Sequence, residues 1–124
     1  YKYKAGPQFT DRFMNVLEQR DYATIYAVLY DNHNAKGEAI CLYGDNVQTS
    51  DRVVALARLD NIDDTPEWTP FTLNFIYRKA VDAQKLRTGG YSLAIVCSSS
   101  TSGAEFMGAV GSTLWVDQFR VVCE

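Results

Sequence analysis

The stretch Tyr91–Glu124, YSLAIVCSSSTSGAEFMGAVGSTLWVDQFRVVCE, sets two β-type segments, Tyr91–Cys97 and Thr113–Cys123, on either side of a small-residue loop. Tyr, Val, Ile, Leu and Trp suit the pleated, half-buried surface of a strand, whereas Ser98, Ser99, Ser100 and Ser102 with Gly103, Gly108 and Gly111 suit turns and close backbone approach. Two strands bracketing such a loop point to an all-β fold.

Working outward, Tyr1–Ala5, Tyr22–Tyr30, Glu38–Tyr43, Arg52–Leu59 and Phe71–Tyr77 read as further strands, about seven in all, separated by turn-rich stretches. Phe71, Leu73, Phe75 and Tyr77 alternate with Thr72, Asn74 and Ile76, the pattern of a sheet with one face in a core. The run ATIYAVLY (residues 23–30) is apolar almost throughout, as in a central strand covered on both sides. Two short helices are expected. One spans Thr10–Arg20, with Thr10 as cap and Phe13 and Leu17 four apart on one face; the other spans Val81–Leu86 and ends at Gly89-Gly90. The expectation is an antiparallel β-sandwich of jelly-roll type with one or two short helices.

At 124 residues the chain makes one domain, residues 1–124, with a single core, and its 47% hydrophobic content is that of a globular protein rather than a disordered one. The net charge of −3 with no basic cluster argues against nucleic acid, since phosphate binding needs concentrated Lys and Arg. No run approaches the roughly 20 apolar residues that span a bilayer. Cys41, Cys97 and Cys123 fall in strand-like segments without CxxC spacing, which makes buried free thiols the expectation and one disulfide with a leftover thiol the alternative.

Sugar recognition on a β-sandwich needs an aromatic ring to lie against the C–H face of a pyranose, with polar groups beside it. Trp68, held between the turn Asp63–Glu67 and Pro70, is one candidate platform; Tyr43, before Gly44-Asp45-Asn46, is another. Phe106 beside Glu105 in the glycine loop offers a ring and a hydrogen-bond acceptor together. Each has a bland alternative, a ring that closes the sandwich or tucks under its own loop, and for Trp115 core packing or cover of a sheet edge is the favoured reading. Asp31 and Asp117 sit in apolar segments, so a buried carboxylate there needs partners. Two readings stand: a Ca²⁺ site built on these carboxylates, or hydrogen bonds to the serines and amides of the 98–103 and 111–113 turns. No other cofactor is expected.

Catalytic signals are sparse. Asp60, Asp63, Asp64 and Glu67 cluster in one polar turn without a facing partner, whereas a glycosidase needs two carboxyls across a cleft. His33 is the sole histidine, SSSTSG lacks the nucleophile-elbow pattern, and GAVGST lacks the P-loop lysine.

YKYKAG at residues 1–6, RDYATIYAVLYD at 20–31 and SSSTSGAEFMGAVGSTLWVDQFRVV at 98–122 resemble the "Putative carbohydrate metabolism domain" of Bacteroidetes lipoproteins, with GSTLWVDQ the most specific part. The resemblance implies a galactose-binding-like jelly roll in an extracytoplasmic, lipid-anchored protein of the periplasm, outer membrane or cell surface, following an immunoglobulin-like domain. It also implies that this chain begins inside a longer jelly roll. The reading at this point is a non-catalytic module that binds polysaccharide or oligosaccharide. Its alternatives are a glycoside hydrolase using loop carboxylates and a structural or protein-interaction module.

Overall fold

A computed structural model describes residues 1–42 and 47–123. Among these, nine strands carry the fold: β1 (Lys2–Lys4), β2 (Phe9–Thr10), β3 (Val16–Leu17), β4 (Ala23–Asp31), β5 (Val53–Ile62), β6 (Ile76–Tyr77), β7 (Tyr91–Ser98), β8 (Gly108–Ala109) and β9 (Thr113–Trp115). One short helix, α1 (Ala83–Arg87), and a 3-10 turn at Gly103–Glu105 complete the described elements. The strands form sheets ordered β1-β9, β3-β2-β8 and β6-β5-β4-β7. Each defined register is antiparallel. The chain is thus nearly all-β with antiparallel sheets, consistent with the expected β-sandwich.

Backbone contacts divide the chain into two compact units, one of residues 1–24, 60–72 and 97–124, the other of residues 25–59 and 73–96. In the second, Tyr26, Val28, Tyr30, Val47 and Val53 form an apolar core against which Leu42, Leu56, Ala94 and Val96 pack. The apolar run of β4 has the burial expected of a central strand, with residues 23–26 all buried. Helix α1 is capped by Asp82, whose carboxylate accepts from the Gln84 and Lys85 N–H groups at 2.9 and 3.2 Å. It stops at Gly89, which adopts φ +76°, a left-handed conformation that suits glycine.

In the first unit the buried residues include Tyr3, Phe9, Asp21, Ala23, Thr24, Ile62 and Ala109. The helix expected over Thr10–Arg20 does not form; β2 and β3 pair as a hairpin, Phe9 opposite Leu17 and Thr10 opposite Val16. Asp11 decides this. Its carboxylate accepts from the Phe13 and Asn15 N–H groups at 2.8 and 2.9 Å, which supports a turn rather than a helical first turn. Met14 takes φ +66° at the hairpin tip, and Phe13 and Val16 remain exposed, so there is no buried face to drive helix formation.

Other strands are shorter than their apolar runs. Phe71, Leu73 and Phe75 are half-buried and alternate with exposed Thr72 and Asn74 as expected, but ladder pairing is confined to Ile76–Tyr77. The expected strand from Glu38 is replaced, over its described part, by one bridge between His33 and Ala39 around a turn in which Asn34 Oδ1 accepts from Lys36 and Glu38. Strand β9 ends at Trp115; beyond it the Asp117 carboxylate accepts from Gln118 N–H at 2.8 Å and Gln118 adopts φ +55°, which breaks the extended run. The expectation of buried thiols is corrected: Cys41, Cys97 and Cys123 are free and exposed. Cys97 points outward between half-buried Val96 and Ser98, an outcome of strand alternation. Local desolvation still raises its thiol pKa.

Candidate functional site

The buried carboxylate of the first unit is neither Asp31 nor Asp117 but Asp21, 1% exposed at the approach to β4. Its Oδ2 accepts from the Ser100 hydroxyl, from Ala109 N–H at 2.9 Å and from the Ser112 hydroxyl at 2.7 Å. Ser112 Oγ in turn accepts from Gly6 N–H at 3.0 Å, so one carboxylate ties the serine loop, β8 and the chain after β1 together. Close approach demands glycine at two points. A Cβ on Gly6 would lie 2.3 Å from the Val110 carbonyl oxygen, and one on Gly108 would lie 2.6 Å from Ser100 Oγ. Tyr3, fully buried beside this network, donates its hydroxyl to the Ser99 carbonyl at 2.9 Å. Burial pushes its pKa up, the negative charges of Asp21 and Asp64 add to this, and a Ser112 hydrogen bond and Arg20 oppose it.

This network positions β1 and its two flanks. On one side Lys2, Tyr3 and Lys4 pair with Trp115, Leu114 and Thr113 of β9. On the other, Tyr1 and Thr69 exchange N–H to carbonyl bonds at 2.7 Å each, and Thr65 N–H donates to the Tyr3 carbonyl at 2.9 Å. Because Tyr3 faces inward, Lys2 and its directly opposite neighbour Trp115 share the outward face. Lys2, Lys4, Asp64, Thr65, Pro66 and Trp115 then line a groove of about 390 Å³. Trp115 is 41% exposed, with the Lys2 ammonium 5.8 Å from its ring centroid.

The groove wall is held by charge. Asp64 Oδ1 accepts from Ala5 N–H at 2.6 Å and its Oδ2 meets the Arg20 guanidinium at 2.7 Å, while Arg20 Nε meets Asp63 Oδ1 at 2.7 Å. These pairs are half-exposed, so they fix loop position more than they stabilise the fold. Arg20 also lines, with Phe9, Gln19, Asp21, Tyr22 and Thr101, a smaller depression of about 270 Å³.

The candidates read from the sequence are dispersed. Trp68 is 56% exposed on the loop beside β1, next in line to the Tyr1–Thr69 pair, but does not line the groove. Phe106, 74% exposed with φ +59°, caps the 3-10 turn that carries exposed Glu105. Tyr43 lies outside the described residues. Asp31 belongs to the second unit, where it pairs with Lys85 and accepts from His33 N–H at 3.1 Å. Exposed Asp117 serves its own turn. Among the described residues no group of three or more His, Cys, Asp or Glu side chains is gathered for a metal, and no helix is long and apolar enough to cross a membrane.

Of the two residues central to the geometry, Trp115 reads from its alternation with Leu114 and Val116 as core packing or cover of a sheet edge rather than as a platform. Asp21 carried no motif, though its place between Arg20 and a fully apolar strand marked a carboxylate near a core.

An all-β scaffold with an indole-lined groove is the class of structure that these observations define. The chain matches the family described as "Putative carbohydrate metabolism domain" over residues 1–122, and it belongs to that family. Among solved structures it is similar to one described as a "putative glycoside hydrolase" from Bacteroides thetaiotaomicron VPI-5482, with 41% identity, TM-score 0.79, and 90% of this chain and 32% of that one covered. It is also similar to one of the same description from Bacteroides vulgatus ATCC 8482, with 37% identity, TM-score 0.77, and 90% and 44% covered. The chain therefore spans a third to under half of these relatives' length. No curated protein matches it.

Proposed function

We propose that this chain is a non-catalytic carbohydrate-recognition module of a larger, extracytoplasmic glycan-handling protein. The observation that carries the reading is the groove beside β1, where a half-exposed Trp115 stands among the side chains of Lys2, Asp64 and Thr65. A pyranose C–H face on the indole, with its hydroxyls directed to those polar groups, fits that arrangement. Trp68 on the flanking loop is a second platform for a longer oligosaccharide; Phe106 with Glu105, and Tyr43, are sugar contacts proposed on sequence grounds alone. A lipid anchor and an immunoglobulin-like neighbour in the same polypeptide belong to this proposal through the family resemblance. The galactose-binding-like character does too.

A glycoside hydrolase is the second reading, favoured by the description of the Bacteroides relatives. Against it, Asp63 and Asp64 are both engaged by Arg20, an arrangement suited to holding a loop rather than to protonating a leaving group. Electrophoresis through polysaccharide gels, with an assay for released reducing ends, separates the readings. Retardation without release supports the module, release supports the hydrolase, and neither on a broad panel leaves a structural or protein-interaction role.

A further inference from the structure

Resting on the reading of the Trp115 groove as a sugar site, we infer that the groove selects anionic sugars, those bearing a carboxylate or a sulfate on the pyranose ring. The protein as a whole is acidic, with a net charge of −3, yet two of the groove's lining residues are lysines on the outward face of β1. Among the described residues neither Lys2 nor Lys4 has a carboxylate partner; the Lys2 ammonium instead rests over the Trp115 ring at 5.8 Å. The groove's one acidic lining residue, Asp64, is already engaged at both oxygens, by Ala5 N–H and by Arg20. The lining therefore presents two lysines beside one carboxylate whose oxygens already have partners.

The geometry matches the substituents of an acidic sugar. A ring seated on the Trp115 face directs its edge groups toward the neighbouring residues of β1, and Lys2 lies directly across the strand pair from Trp115. An exposed cation–π contact is weak, so the incoming sugar displaces the ammonium from the ring face and meets it again at the ring edge. There a charge-assisted hydrogen bond to carboxylate or sulfate replaces a contact with a ring quadrupole. A neutral sugar gains the stacking but offers the ammonium groups only uncharged hydroxyls, a weaker partner than carboxylate or sulfate.

The test is electrophoresis of the wild-type chain, the Lys2→Gln/Lys4→Gln double variant and Trp115→Ala through gels containing polygalacturonate, which bears only carboxylates, a carrageenan, which bears only sulfates, or a neutral galactan. The expected result is stronger retardation by at least one anionic polymer than by galactan, with the two anionic gels telling carboxylate from sulfate. The double variant loses about three- to tenfold more of the anionic affinity than of the galactan affinity. Trp115→Ala loses retardation in every gel, which separates site binding from general polyanion attraction. Equal retardation by neutral and anionic gels, or an unchanged double variant, overturns the anionic preference and leaves the sugar-binding reading standing. Retardation of Trp115→Ala equal to wild type in the anionic gels overturns the assignment to this groove, and no retardation in any gel overturns both.

Discussion

Ser112 donates its hydroxyl to the Asp21 carboxylate at 2.7 Å across 91 positions of sequence, and the same oxygen of Asp21 also accepts from Ser100 and Ala109. One buried carboxylate thus gathers donors from two separate turns of the glycine loop, and through Ser112 it reaches the backbone after β1. The groove beside β1 depends on this tie, because β9, which carries Trp115, begins one residue after Ser112.

Removing the tie is expected to cost the fold heavily. Asp21→Ala leaves three donors facing an interior without an acceptor, at about 3–5 kcal/mol, seen as a fall in melting temperature of more than about 10 °C. Ser112→Ala, which spares the other two bonds, costs about 1–2 kcal/mol. Thermal and urea unfolding of the two variants check the order; an Asp21→Ala protein as stable as wild type contradicts the network.

Gly6→Ala tests the close approach by a different route. Its Cβ would meet the backbone carbonyl of Val110 at 2.3 Å, and backbone cannot swing aside as a side chain does. A loss of about 1–3 kcal/mol is expected, whereas Gly103→Ala, whose Cβ would meet nothing nearer than 3.9 Å, is expected to fall within about 0.5 kcal/mol of wild type once helical-turn preference is counted.

Much of this was legible in the sequence, and what was not has local causes. Strands β4, β5 and β7 follow from apolar runs long enough for side-chain pattern to dominate. The Thr10–Arg20 segment misled because Phe13 and Leu17 mimic a helical stripe, while Asp11 and Asn15, four apart, close a hairpin turn with their own side chains. From the sequence Asp31 and Asp117 are the carboxylates expected to need partners, with the serine turns as one answer; in the structure the carboxylate bonded to those turns is Asp21. Its partners lie 79 to 91 positions away, a distance at which no spacing rule operates. For Trp115 the segment alone leaves core packing or cover of a sheet edge as the favoured reading, because which face of β9 turns inward is set by its pairing with β1, where Leu114 opposes buried Tyr3.

Tyr3 gives the fold a dependence on alkaline pH. Its folded pKa is raised above the ordinary 10.0, chiefly by burial, so its neutral form stabilises the fold at pH below 10.0 and that contribution is lost as pH rises through the folded value. Tyr3→Phe is expected to lose about 1 kcal/mol at neutral pH, where the Ser99 carbonyl forfeits its donor, but to show a flatter decline above pH 10. Urea midpoints measured from neutral to strongly alkaline pH test this, and parallel curves for the two proteins contradict it.

Asp31 acts on the acid side. Partial burial works to raise its pKa, but the Lys85 and His33 hydrogen bonds and the charges of Lys85 and Arg52 outweigh it and the net shift is downward. Its contribution to stability is therefore present above the ordinary 3.8 and lost as pH falls through the lower folded value. Asp31→Asn is expected to be less stable than wild type at neutral pH and to converge with it in strong acid; a gap that persists at about pH 2 contradicts the pairing as its source.

Sugar binding on the indole of Trp115 is the part of the proposed function on which the rest stands. Affinity electrophoresis of wild type and Trp115→Ala through a panel of polysaccharide gels, with melting temperature measured on the same samples, tests it most directly. The variant is expected to lose at least about tenfold in retardation affinity, the scale of an aromatic anchor in a binding site, while its melting temperature stays within a few degrees of wild type. Retardation unchanged in a variant that remains folded would contradict it.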